Sequence, residues 1–124
     1  MVSQLTSIVN EMGLDGVDID YEYYYDDGQK GSSFDKGSEA RYFLKQVTVG
    51  LRESLKPDAI IIHVPMDSDM VPSSGYLQLL AEPDMRSAID FLLPQYYNGK
   101  TAFPQSHSLK HIYLFTNPVK LCDL

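Results

Sequence analysis

Apolar residues recur every three or four positions at the start of the chain: Val2, Leu5, Ile8, Val9 and Met12, with Ser, Gln, Asn and Glu between them. That spacing predicts an amphipathic helix over residues 1–12, and Gly13 suits the position just past its end. From Leu14 the period changes to two. Val17, Ile19 and Tyr21 fall on one side and Asp18, Asp20 and Glu22 on the other, the pattern of a strand over about Gly16–Glu22. Residues 26–37, DDGQKGSSFDKG, read as a loop. A second helix follows over about Ser38–Leu55, with Ala40, Phe43, Leu44, Val47, Leu51 and Leu55 as its apolar stripe and Pro57 marking its end.

Two further apolar runs complete the pattern. AIIIHVPM, residues 59–66, is continuous, as in a strand covered on both sides. Residues 67–87 are mixed, with a short helix expected near Tyr76–Ala81, and AIDFLLPQYY, residues 88–97, reads as a third strand. Strands separated by helical crossovers must run parallel, so the fold class is α/β. Periodicity leaves the edge of a doubly wound sheet and a segment of a barrel equally open. After Thr101 the pattern is poorly periodic.

Composition narrows the choice of partner. The chain has 124 residues, enough for one domain, and 44% hydrophobic content, enough for a packed core. Its net charge of −7 argues against nucleic acid and anionic membranes, which call for basic patches. No apolar run reaches the ~18 residues of a membrane span. Residues 1–13 lack the basic and unbroken apolar regions of a signal peptide. The single cysteine, Cys122, excludes an internal disulfide, and it lacks metal-ligand spacing with His107 and His111.

The acids are concentrated. Asp15, Asp18, Asp20, Glu22, Asp26 and Asp27 fall within LDGVDIDYEYYYDD, and the first cation of the chain is Lys30. Asp18, Asp20 and Glu22 would stand on one face in steps of ~6.6 Å. Carboxylates so placed repel, so at least one should titrate high, which is the state a general acid requires. Glu22, nearest the C-terminal end of the strand, is the natural donor, with Asp20 as partner and Asp18 as the deeper support. A strand with one solvated face would alternate in the same way, and three acids could also hold a divalent metal. An EF-hand is excluded, because Tyr23 occupies its glycine position. His63, inside an apolar run, reads as a buried, hydrogen-bonded histidine. Tyr23, Tyr24 and Tyr25 could stack on a ligand or pack, and Asp26 and Asp27 read as solvated loop charges.

DGVDIDYE, Asp15–Glu22, resembles the DGxDxDxE signature of glycoside hydrolase family 18, the chitinases and endo-β-N-acetylglucosaminidases, with all five fixed positions present. LPQYYN, Leu93–Asn98, is similar to the Q-x-Y-N segment on the sixth strand of the class III chitinase branch, and VPM, Val64–Met66, to the step ending strand five. The resemblance implies part of a (β/α)8 barrel, a fold of ~250 residues. It covers residues 1–101, about strands four to six with their helices. Strands one to three, seven and eight are then missing, along with the strand that carries a tryptophan; the chain has no Trp. Residues 102–124 match nothing expected after strand six.

The function implied is hydrolysis of β-1,4-linked N-acetylglucosamine, with chitin or a related oligosaccharide as partner and no cofactor. Family members use substrate assistance. Glu22 would protonate the leaving oxygen, Asp20 orient the acetamido group, and Asp18 tune Asp20. Tyr97 would donate to the acetamido oxygen, with Gln95, Tyr23, Asn98 and Met66 lining the sugar site. The resemblance further suggests a secreted protein. An incomplete barrel is expected to be weakly active or inactive. The alternative is a chitinase-like lectin that binds the glycan without cleaving it.

Overall fold

The computed structural model describes residues 1–22, 37–96 and 120–121. Helix α1 spans Val2–Met12 and ends as its sequence predicts. Gly13 takes left-handed backbone at φ 65°, so the amides of Gly13 and Leu14 turn back to the carbonyls of Asn10 and Val9. Val9 is buried against α2, whereas Ile8 and Met12, expected in the stripe, are exposed. Helix α2, Gly37–Ser54, buries Ala40, Leu44, Val47 and Leu51, and Leu55 follows it into the core. The stripe differs from expectation at two positions: Phe43 is 42% exposed, and Thr48 is fully buried.

Strands β1, Gly16–Ile19, β2, Ile60–His63, and β3, Phe91–Leu92, lie side by side and parallel. The parallel course expected of strands joined through helices is present, with the strands adjacent in chain order. Lys120–Leu121 adds a fourth parallel strand, β4, beside β3, which the poor periodicity after residue 101 does not announce. Each expected strand is shorter than its apolar run. On β2, Pro65 has no N–H to extend the ladder, and the carbonyl of Val64 accepts the side chain of Gln95 instead of a strand amide. Residues 83–88, which the apolar run 88–97 overlaps at Ala88, form helix α4, Pro83–Ala88, with proline in its first turn. Before it come a 3-10 turn, Asp67–Met70, and helix α3, Gly75–Leu80, whose N-cap Ser74 accepts from the amide of Leu77.

The described helices pack on one face of the sheet. Val17, Ile19 and Ile61 meet Val9, Val47, Leu51 and Leu55, while Leu92 and Ile89 meet Leu44, Tyr76, Leu79, Leu80 and Met85. Full burial of each such aliphatic side chain contributes about 1.5–3 kcal/mol. The expectation that β2 is covered on both sides is corrected here: Ile61 is 0% exposed, but Ile60 is 38% exposed on the opposite face. That open face also carries Asp18, whose register partner is Ile62.

Arg52, in the last turn of α2, ties the layers together. Its Nε donates to Ala88 O at 3.0 Å and its Nη1 to Ala59 O at 2.8 Å, and Nη2 pairs with Asp90. The same Asp90 oxygen accepts from the amide of Ile61 at 2.8 Å, so one ion pair joins α2 and α4 to the entries of β2 and β3.

Candidate active site

The regular strand β1 stops at Ile19, but its alternation continues. Asp18, Asp20 and Glu22 are exposed, and Val17, Ile19 and Tyr21 between them are half-buried. Tyr21 anchors the inner side by lying against Phe43 of α2, ring centroids 5.4 Å apart. The glycine of the motif has a steric reason. A Cβ on Gly16 would stand 1.9 Å from the carbonyl oxygen of Ile60 and 2.6 Å from its nitrogen. Only glycine lets β1 approach β2 this closely while Asp15 O accepts the Ile60 amide at 2.9 Å.

At the C-terminal end of the strands three of the expected residues meet. Gln95 follows β3, and its backbone amide donates to Pro65 O at 2.9 Å. Its side-chain nitrogen donates to Asp20 Oδ1 at 3.0 Å, to Glu22 Oε1 at 3.1 Å and to Val64 O at 3.1 Å. Both carboxyl oxygens therefore lie within about 6 Å of each other. Gln95 is 2% exposed, whereas the carboxylates it holds face solvent. Met66, half-buried, forms a parallel bridge with Gln95. Tyr23, Tyr97 and Asn98 lie outside the described residues.

Asp18 sits one step deeper, on β1. Desolvation first, and the negative charge of Asp20 second, raise its carboxyl above the ordinary aspartate range. Among the described residues no group of three or more His, Cys, Asp or Glu is placed to hold a metal ion, and no helix is long and apolar enough to cross a membrane.

His63 is 2% exposed on the helix-covered side, and burial lowers its pKa to about 4. Its partners fix its tautomer. Thr48 Oγ1 gives its one hydrogen to Leu44 O at 2.8 Å, so at 2.9 Å it must accept from His63 Nε2. Nδ1 is then the acceptor, 3.2 Å from the hydroxyl of Tyr76. This is the neutral, hydrogen-bonded histidine that the apolar run predicts. A cavity of about 260 Å³ opens at the other end of the sheet, between Asn10, Asp15, Lys56 and Asp58. It contains neither Asp20 nor Glu22, and it lies at the N-terminal edge of the strands, away from the convergence of side chains.

No family model matches this chain, and neither does any curated protein or solved structure. The functional reading thus rests on the motif residues and on their placement. Gln95 was expected to line a sugar; its contact with both carboxylates is the feature the sequence does not announce. The signal for it is slight: a polar residue two positions before a tyrosine, at the end of an apolar run.

Proposed function

We propose that the chain carries the acid-bearing segment of a chitinase-type glycoside hydrolase. The observation that supports this best is the pair Asp20–Glu22 at the C-terminal end of a parallel strand, held by a buried amide from two strands away. Parallel α/β folds place their chemistry at that end. The helices gathered on one face of the sheet suit an arc of a (β/α)8 barrel, with the acid face turned toward the barrel axis.

In the reaction this reading assigns, Glu22 protonates the glycosidic oxygen as the C–O bond breaks. The carbonyl oxygen of the substrate's own N-acetyl group attacks the anomeric carbon and forms an oxazolinium ion. Asp20 holds the acetamido N–H and balances the positive charge. Glu22, now ionised, takes a proton from water, which opens the ring with net retention. Asp18 lies one step deeper than Asp20, where burial and the charge of Asp20 disfavour its ionisation. Because Glu22 is exposed, water is not excluded and turnover should be slow.

The test is a pair of substrates. A fluorogenic chitooligosaccharide and its glucose counterpart differ in the acetamido group that the mechanism needs. Slow release from the first, with β-configured product by NMR, and none from the second is the expected result. Equal cleavage of both would overturn substrate assistance. Binding without any cleavage would establish the lectin alternative instead.

A further inference from the structure

Three acceptors converge on one nitrogen of Gln95: two carboxylate oxygens and a strand carbonyl, all at 3.0–3.1 Å. That nitrogen has two hydrogens. The residue is neutral, almost fully buried and fixed through its own backbone to Pro65. An acceptor could not replace it, because a third carboxyl would then face two others. A cation there would neutralise the pair. A neutral double donor is the side chain that can hold two acids side by side and leave both their charges available.

We infer that Gln95 is a positioning residue for Asp20 and Glu22, setting their spacing from the end of β3 by donating to both. As a statement about catalysis this rests on the glycosidase reading; the contact between amide and carboxylates does not. Donation to a carboxylate is stronger when it is ionised, so the role of Gln95 depends on pH, whereas filling space would not.

The first test needs no activity. In the unaltered chain, labelled with 15N, the side-chain amide protons of Gln95 should shift as the carboxylates are protonated, and the response should disappear in the double variant Asp20→Asn, Glu22→Gln. An amide signal indifferent to both pH and the double variant would overturn the inference. The second test compares Gln95→Met and Gln95→Glu by urea unfolding at pH 7 and pH 4. Gln95→Met keeps the volume and loses the donor, so its loss should be larger at pH 7. Gln95→Glu introduces a carboxyl into a buried site, where shifts reach about 3 units, so its unfolding constant should rise on the order of 10²-fold more at pH 7 than at pH 4. Penalties independent of pH would show a merely structural residue. In hydrolysis, Gln95→Met should lower kcat with KM little changed. A response in the NMR experiment together with equal cleavage of the chitooligosaccharide and its glucose counterpart would overturn the glycosidase reading and leave the positioning role standing.

Discussion

Replacing Gly16 by alanine tests the close approach on which the acid strand depends. The added Cβ would lie 1.9 Å from Ile60 O, 2.6 Å from Ile60 N and 2.7 Å from Ile60 C, all backbone atoms of the neighbouring strand. Carbon atoms in contact normally stand about 3.5–4.0 Å apart, so β1 must retreat by more than 1 Å at this point. Such a retreat breaks the Asp15 O to Ile60 N bond, now 2.9 Å. Overpacking costs about 1–3 kcal/mol and an unmade backbone bond about 1–3 kcal/mol more, so a loss of ~2–6 kcal/mol is expected. Against a total of ~5–15 kcal/mol for a domain, and with a urea slope of ~1–3 kcal/mol/M, the midpoint should fall by at least about 0.7 M. Gly50→Ala is the control. Its Cβ meets the side chain of Val2, nearest 3.2 Å, which can yield, and alanine gains up to ~1 kcal/mol of helix propensity. Urea unfolding followed by far-ultraviolet circular dichroism compares the two. Equal midpoints for Gly16→Ala and the unaltered chain would refute the steric reason given for the glycine of the motif.

Three other outcomes are expected. Above pH 6.5 His63 is neutral folded and unfolded; between 6.5 and about 4 only the unfolded chain takes the proton, so stability should fall by ~3 kcal/mol as pH drops through that window, and His63→Gln should flatten the fall in urea titrations. Asp18 shows the opposite sign: its raised folded value means ionisation is disfavoured by folding, so Asp18→Asn should raise the urea midpoint at pH 7 and not at pH 3, and a loss at pH 7 would contradict the assignment. Arg52→Ala should lower stability by ~2 kcal/mol, and Arg52→Lys should restore little of it, because one ammonium cannot reproduce the fork to Ala88, Ala59 and Asp90; full rescue by lysine in thermal melts would show that charge alone matters.

Local patterns carried much of this fold. The helical spacing before Gly13, the stop at Pro57 and the alternation around Asp18 each express one physical rule, and the elements they predict are present. The failures come from tertiary choices. Ala88 looks like the first residue of a strand, yet it ends α4, where its carbonyl is taken by Arg52 from another helix. Ile8 and Met12 obey the helical period but have no partner layer among the described residues, so they stay exposed. Thr48 interrupts an apolar stripe because it serves His63, fifteen residues on. In the candidate site, Asp18, Asp20 and Glu22 were legible from alternation and motif. The convergence of Gln95 on two of them was not, since it joins residues 73 and 75 positions apart through the end of a strand only two residues long.

Asp18 also shows what the clustered acids cost. Desolvation and Asp20 together make its ionisation costly, and none of the described bonds offsets that with a cation. A side chain that lowers stability where it stands is common in sites built for chemistry.

The most direct measurement is the turnover of a fluorogenic chitooligosaccharide by the unaltered chain and by Glu22→Gln, with oligosaccharide binding measured in parallel. Removing a general acid costs about 10²–10⁴-fold in rate. The account predicts a loss of that size with binding retained. An undiminished rate in Glu22→Gln would contradict it.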